Sequence, residues 1–440
     1  GNGSYSTADS YVKQVWDGRY TGIRMCNQLL ENIDRVPDLD PELKKRYIGE
    51  AKVLRAYSYY ELYTKFGDIP YTTKVLSIKE SMSIARTAKA TVIANVLADL
   101  DEVINGNYLP TSYDADNKGR ITRWAAMAIK AKIYLFEGNW TQVKNITSTI
   151  MTEGGFKLFG SYAGLFEIAN EYNSEVILDA QYRPTSREHQ MMYVFLPPTL
   201  GGYSQLSPLQ ELVDSYIMLD GKTIKETGTS FDESHPYANR DPRLKATVMY
   251  TGNSYTLADG TEVVINCEKG EGKDGYGVGS DCSATGYYIK KYWDNTYRAT
   301  LYSGLNPILI RYADILLMNA EALAELGELD KTAWDATIKP IRDRAGFTLA
   351  SALEFPEGAS KDKLIEIVRN ERRSELALEG HRHKDIIRWR IADNVLNGWC
   401  HGLKTNDVVG TDDGYVRVEN RTFNANKHYL WPIPQAERDL

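Results

Sequence analysis

The chain is dominated by apolar residues that recur every three or four positions, which is the spacing of an amphipathic helix. One such stretch follows Asp40 and Pro41, a capping residue and a proline at the first helical position, and ends at Gly67. Pro340 lies inside another stretch and should kink it, because proline lacks the amide hydrogen that a helix uses. The spacing predicts helices over residues 11–32, 41–66, 91–104, 122–137, 141–151, 309–326, 331–345, 361–379 and 384–396.

Two of these segments resemble each other. AKIYLFEG begins at Ala131 and AEALAELG begins at Ala320, and each ends in a glycine before a helix that carries a tryptophan, Trp140 or Trp334. Small residues, a glycine turn and a second helix are typical of a tetratricopeptide-like hairpin, which buries its apolar face by stacking on neighbours. The two copies are too degenerate and too far apart for a regular solenoid.

The middle of the chain, residues 183–307, contains most of the glycine clusters and short alternating runs such as TEVVIN and GYYIKKYW. In the second run, a strand would place Tyr288, Lys290, Tyr292 and Asp294 on one face and Tyr287, Ile289, Lys291 and Trp293 on the other. We therefore predict a mostly α protein: a tetratricopeptide-like helical hairpin scaffold with an irregular loop and short-strand insert. The predicted regions are 1–185, 186–306 and 307–440, packed as one compact unit.

Composition narrows the classes of partner. The 52 basic and 59 acidic residues give a net charge of −7 and no basic stripe, which argues against a nucleic-acid partner. No stretch approaches the roughly 20 apolar residues of a membrane-spanning helix. The 30 tyrosines against 10 phenylalanines are an excess of rings with a polar tip. Such rings suit ligands that have apolar faces and hydroxyl rims.

The sequence contains no complete match to the common motifs for catalysis or metal binding. HExxH and GxSxG do not occur, and the run at 220–223 lacks the first glycine of a phosphate loop, so we interpret it as a turn. An apparent calcium loop after residue 114 has Lys118 in place of an oxygen ligand and Ala125 in place of the closing glutamate. His381 and His383 are two residues apart, hence on different faces of a helix. We predict no catalytic residue, no metal site and no cofactor.

Charged residues between Glu371 and Trp389 are dense and nearly balanced in sign. This balance favours an ion-pair network that joins two helices over an anion site. A glycosidase pair of carboxylates stays open, since its two acids can come from anywhere in a chain, but no local signature supports one.

The four cysteines lack a CxxC motif and are too few for a disulfide framework. Cys267 and Cys282 flank a glycine-rich loop. The sequence is compatible with a disulfide between them and with two free thiols. The first residues do not resemble a signal peptide, and we interpret the chain as a form whose export signal has been removed.

Aromatic rings on irregular, glycine-rich segments have less core to enter than rings on helices. We therefore expect ligand contacts in the insert and in the loop over residues 71–86, where rings meet the apolar face of a sugar and polar neighbours bind its hydroxyls. The alternative is that each ring belongs to the core. Trp293, the largest ring beside Asp294 and Arg298, is the first choice. The candidate ligand-binding residues are Tyr71, Arg86, Tyr203, Tyr292, Trp293, Asp294, Tyr297 and Arg298.

Six motifs resemble, in the right order and over nearly the whole chain, those of the SusD/RagB-type outer-membrane lipoproteins of Bacteroidetes. They are EAKVLRAYSYYELYTKFGDIPY (50–71), GRITRWAAMAIKAKIYLFEGNW (119–140), LIRYADILLMNAEALAELG (309–327), IRDRAGF (341–347), NERRSELALEGHRHKDIIRW (370–389) and YLWPIPQAERD (429–439).

The resemblance implies a non-enzymatic nutrient-binding lipoprotein on the outer face of the outer membrane, anchored through a lipidated N-terminal cysteine. It implies that the protein captures oligosaccharide, or peptide as in the RagB branch, for a SusC-like TonB-dependent transporter. The sequence departs from the family in lacking that cysteine and the usual N-terminal segment, in Pro340, and in its shorter length. No ligand motif carries over residue by residue. A glycoside hydrolase and a pure protein-interaction scaffold are the alternatives.

Overall fold

The hairpins that the two similar segments predict are present in a computed structural model, which describes residues 3–296 and 300–439. The chain is 45% helical and 10% strand, with small antiparallel sheets, and this confirms the predicted mostly α fold. The helices are α1 (Ser10–Asn32), α2 (Pro41–Phe66), α3 (Ile78–Ser81), α4 (Lys89–Asn105), α5 (Arg123–Phe136), α6 (Trp140–Glu153), α7 (Met191–Phe195), α8 (Gln210–Ser215), α9 (Pro242–Thr247), α10 (Tyr312–Leu326), α11 (Lys331–Ala345), α12 (Ala350–Leu353), α13 (Lys361–Glu375), α14 (Arg382–Arg388), α15 (Ala392–Val395) and α16 (Gln435–Arg438).

The strands are short and, among the residues that the structure describes, form four small sheets. They are β1 (Val176–Asp179), β2 (Val248–Met249), β3 (Ser254–Thr256), β4 (Glu262–Val264), β5 (Tyr288–Ile289), β6 (Ile308–Arg311), β7 (Gly398–Lys404), β8 (Thr411–Asp412) and β9 (Tyr415–Arg421). Strand β1 pairs with β6, β2 with β5 and β3 with β4, while the last three form a sheet in the order β7-β9-β8.

Contacts between residues divide the chain into two units. Unit 1 comprises the residues up to Gly155, His383–Asn397 and the residues from Arg421 onward, and unit 2 comprises Phe156–Arg382 and Gly398–Asn420. The division of the sequence at 185/186 and 306/307, and its packing as one compact unit, stay predictions. No described helix has the length and apolar character needed to cross a membrane.

In unit 1, the helices α1, α2, α4, α5 and α6 pack in succession, each on the next. The predicted start of α2 is confirmed: the Asp40 side chain accepts a hydrogen bond from the Leu43 amide at 2.8 Å, and Pro41 is the first helical residue. Gly67, with φ 73°, ends this helix. The succession buries the apolar stripe of each helix, including the rings of Tyr59 and Tyr63.

In unit 2, α10 packs against both α11 and α13. The turn between α10 and α11 is the predicted glycine turn, since Gly327 adopts φ 73°. Helix α11 is continuous from Lys331 to Ala345 with Pro340 inside it. A large apolar cluster in the same unit joins Phe166, which precedes the insert, to Tyr255 and Tyr288 of the insert.

Four sequence predictions of local structure are wrong. The helix predicted over 361–379 ends at Glu375, and Leu378 beyond it has φ 63°, which a helix does not allow. Residues 309–311 lie in β6, so the helix predicted from 309 begins only at Tyr312, because pairing with β1 overrides the helical spacing. The strand predicted around Tyr288 contains only Tyr288 and Ile289. The helix predicted over 384–396 is two helices, α14 and α15, because Arg390 between them has φ 57°.

Candidate functional site

A pair of stacked rings, one exposed and one half-buried, lies in the insert of unit 2. Tyr203, one of the predicted ligand contacts, is 41% exposed, and its ring stacks on that of Tyr193 with centroids 4.3 Å apart. The Tyr203 amide donates to the Tyr193 carbonyl at 3.0 Å, which fixes the two residues side by side. We call Tyr193 and Tyr203 the ring pair. It offers a flat aromatic surface of the kind that binds the apolar face of a sugar.

A glycine turn positions the ring pair. The chain leaves Phe195, at the end of α7, and reverses at Gly201, which has φ 81°. Gly202 follows, and a Cβ there would lie 2.1 Å from the Leu196 carbonyl oxygen. Only glycine allows this close approach, which returns the chain so that Tyr203 meets Tyr193. Sequence reasoning missed Tyr193, because its stacking depends on this turn.

The other candidates in the insert are more buried than expected. Tyr292 is 7% exposed and its ring meets that of Phe166 edge to face at 5.0 Å, so the expectation of an exposed ring is wrong for this residue. Asp294 is 2% exposed, and its carboxylate accepts hydrogen bonds from Ser303 Oγ at 2.6 Å and from the Thr296 amide at 2.9 Å. That carboxylate stabilises the local loop.

Trp293 is half-buried at the edge of the same cluster. Its Nε1 donates to the Thr256 carbonyl at 2.8 Å, and its ring lies 5.1 Å from that of Tyr255. The regular alternation of faces predicted for this run is therefore wrong, because the run is a strand only at its start. A ligand role for Trp293 stays a prediction. Tyr297 and Arg298 lie outside the described residues.

The loop that follows α2 carries the remaining two candidates, in unit 1. Ile69 and Thr87 exchange two backbone hydrogen bonds, and the Asp68 side chain accepts a hydrogen bond from the Lys89 amide at 2.8 Å. These contacts hold the two ends of the loop together. Tyr71 is half-buried with its ring 4.6 Å from that of Tyr59, and burial raises its pKa to about 12. Arg86, just before the paired Thr87, is exposed.

Arg86 lines a cavity of about 530 Å³ that lies entirely within unit 1, and we call it the unit 1 cavity. Its lining combines cations with aromatic and apolar side chains. The lining residues are Tyr63, Thr64, Phe66, Gly67, Asp68, Arg86, Lys89, Phe136, Ile387, Arg388, Arg390, Tyr429 and Leu430. Its volume lies within the range of small-molecule sites. From the sequence, only Arg86 had been a candidate, since the others come from five separate segments.

The dense charges after Glu371 form a buried network in unit 2. Arg372 Nη1 lies 2.6 Å from Asp314 Oδ1 and joins α13 to α10, while Arg342 Nε lies 2.7 Å from Glu371 Oε2 and joins α11 to α13. The prediction that ion pairs connect helices here is confirmed. Burial would raise the pKa of Glu371, but Arg243 and Arg342 lower it below its ordinary value.

The described residues contain no group of three or more His, Cys, Asp or Glu side chains arranged to hold a metal ion. All four cysteines are free thiols, so Cys267 and Cys282 do not form the disulfide that the sequence left open. Cys267 is buried and Cys282 is half-buried.

Comparison with known proteins agrees with the six sequence motifs. Residues 165–440 match the model of the SusD family, and residues 2–135 match a family described as starch-binding and associating with the outer membrane. Because the first match spans more than half of the chain, the protein belongs to the SusD family.

Three known proteins are similar to this one over most of the chain. "SusD-like protein P25" of Formosa agariphila is 28% identical over 409 residues, which is 88% of this chain and 71% of the relative. A crystal structure of a SusD-like carbohydrate binding protein from Bacteroides fragilis has a TM-score of 0.89 and 28% identity, over 100% of this chain and 86% of that one. A laminarin-binding SusD-like protein, at 24% identity and a TM-score of 0.66, shares the fold.

Proposed function

We propose that this protein captures oligosaccharide outside the outer membrane and delivers it to a SusC-like TonB-dependent transporter. The ring pair is the structural observation that supports capture: the two tyrosine rings stack at 4.3 Å, Tyr203 is 41% exposed, and Tyr193 packs against a large apolar cluster that holds the pair in place. Exposed stacked rings offer contact area to the face of a sugar, and their hydroxyls offer hydrogen bonds to its rim.

The relatives support the same substrate class. The Bacteroides fragilis protein, similar over the full length of this chain, is named as a carbohydrate binding protein, and the laminarin-binding protein shares the fold. Location at the outer membrane is supported by the description of the family that matches residues 2–135. We propose that a lipidated cysteine preceding this chain anchors it there.

We propose further that capture occurs without cleavage. Glycoside hydrolysis normally uses a pair of carboxyl groups, whereas the ring pair supplies only aromatic faces and tyrosine hydroxyls, so it offers contacts to a sugar rather than an acid and a base. The sequence also carries no local signature of a carboxylate pair.

Capture is tested by running the purified protein in native gels cast with single polysaccharides, with a gel that lacks polysaccharide and bovine albumin as references. We expect slower migration in at least one polysaccharide. The same polysaccharide is then incubated with the protein overnight, and the products are separated by chromatography. We expect no new oligosaccharide, and release of oligosaccharides would contradict the non-enzymatic proposal.

Delivery is tested separately by expressing the tagged protein behind a lipoprotein export signal in a Bacteroidetes host and solubilising the outer membrane in mild detergent. We expect a TonB-dependent transporter to copurify in a comparable amount. If the purified protein binds peptides and no polysaccharide, its cargo is peptide and the oligosaccharide proposal is wrong.

A further inference from the structure

Basic side chains outnumber acidic ones in the lining of the unit 1 cavity, although the chain as a whole has a net charge of −7. Four basic side chains line it, namely Arg86, Lys89, Arg388 and Arg390, against the single acid Asp68. We propose that this cavity binds a carboxylate or sulfate group carried on a sugar, so that the cargo includes acidic oligosaccharides. This inference rests on the proposed function and names the chemistry of its ligand.

Two of the four cations already have acidic partners. Lys89 Nζ lies 2.9 Å from Glu137 Oε2, and Arg388 Nη2 lies 2.8 Å from Asp385 Oδ1. Arg86 and Arg390 have no carboxylate within ion-pair distance among the described residues. These two guanidinium groups are therefore the ones available to an anionic ligand.

Arg390 is held in a position that suits anion binding. Its guanidinium lies 3.8 Å above the centre of the Tyr429 ring, in the gap between α14 and α15. Stacking occupies the flat face of a guanidinium and leaves its edge of N–H groups free. That edge matches the two oxygens of a carboxylate or the oxygens of a sulfate, to which it donates parallel hydrogen bonds.

The hydroxyl of Tyr63 is a second, independent observation at the same cavity. Tyr63 is 0% exposed and lines the cavity, and its hydroxyl makes no hydrogen bond to any described residue. Buried hydroxyl groups in native proteins nearly always have a partner, so the unpaired hydroxyl of this lining residue is a donor that a ligand in the cavity could satisfy. Burial raises its pKa well above the ordinary value, so the group remains a donor.

The inference is tested by titration calorimetry of the full chain with three probes: trigalacturonate, a sulfated carrageenan tetrasaccharide and neutral maltotriose. We expect binding of at least one acidic probe, and the probe that binds identifies the anion as carboxylate or sulfate. Arg86→Gln and Arg390→Gln should each weaken that binding about tenfold, because each removes a charged hydrogen-bond donor. The matched control is Arg35→Gln, an exposed arginine elsewhere in unit 1, which should bind as the unchanged protein does.

Tyr63→Phe separates a ligand role from a structural one. It removes the unpaired hydroxyl and keeps the ring, so the melting temperature should stay the same or rise while affinity for the acidic probe falls. Equal affinity in Tyr63→Phe and in both arginine variants would place the anion elsewhere and overturn the inference. Binding of neutral glycans without binding of either acidic probe would overturn it too, and would leave the proposed function standing. Failure of every glycan, neutral or acidic, would refute the proposed function itself.

Discussion

Arg311 donates two parallel hydrogen bonds to the carboxylate of Glu379 in the interior of unit 2. Arg311 Nε lies 2.8 Å from Glu379 Oε2, and Nη2 lies 2.7 Å from Oε1. The side chains are 1% and 2% exposed. Arg311 also binds Glu175 and Glu375, and Lys291 Nζ reaches Glu379 at 2.7 Å. Strand β6, the short turn after α13 and the insert are thereby joined through charges, in addition to the apolar cluster that contains Ile308, Ala377 and Tyr292.

We expect Glu379→Gln to lower the free energy of unfolding by about 3–5 kcal/mol, because it leaves buried cations without their partner. The control is Glu366→Gln, which breaks an exposed pair with Lys363 and should cost about 0.5 kcal/mol or less. Chemical denaturation followed by circular dichroism measures both. Similar stability of the two variants, with glycan binding lost only in Glu379→Gln, would instead assign this network to ligand binding.

Because the carboxylate of Glu379 is paired with buried cations, we expect the protein to lose stability in acid. Burial opposes ionisation of Glu379, but Arg311 and Lys291 outweigh it and lower its pKa from 4.5 to about 2. A lowered folded-state pKa stabilises the protein above pH 4.5, and that contribution disappears as pH falls from about 4.5 to about 2. The shift corresponds to about 3 kcal/mol. Melting temperatures measured across this range should fall less steeply for Glu379→Gln, and parallel curves would contradict the assignment.

The parts of the fold that were predictable from sequence are those set by nearby residues. Asp40, Pro41 and Gly67 specify both ends of α2, because capping and turn formation involve residues a few positions apart. Residues 309–311 were predicted wrongly because their strand is made by β1, more than 120 positions earlier in the chain. The spacing of apolar residues cannot report a partner that distant.

Exposed aromatic rings in the insert were predictable from the sequence, but which of the rings are exposed was not. The expected exposure of a ring on a glycine-rich segment is found at Tyr203, which follows the turn at Gly201 and Gly202, and its role in ligand binding stays a prediction. The same argument failed at Tyr292, whose ring enters a cluster made by rings from distant segments such as Phe166. An irregular backbone can still bury its rings when distant residues close over it.

Trp293→Ala tests whether the first sequence candidate is mainly a packing residue. The substitution removes the bond from Nε1 to the Thr256 carbonyl and the contact with the Tyr255 ring. We expect a stability loss of roughly 2 kcal/mol, less than for a fully buried tryptophan because the ring is half-buried. Calorimetric unfolding gives the loss, and titration of the folded protein gives the affinity. Unchanged stability together with an affinity loss of about 1 kcal/mol would make Trp293 a ligand contact alone.

Tyr203→Ala should weaken glycan binding about fivefold or more while leaving the fold intact. The ring is exposed and its main contact is the stack with Tyr193, so its removal creates no cavity in the core. A well-placed aromatic contact contributes about 1 kcal/mol, which corresponds to that change in affinity. Tyr302→Ala is the matched control, since Tyr302 is equally exposed at 41% in the same unit but is not part of the ring pair. Titration with the polysaccharide that retards the protein in native gels measures both variants. Equal affinities with unchanged melting temperatures would exclude the ring pair as the glycan contact, whereas selective weakening in Tyr203→Ala would place the sugar on it.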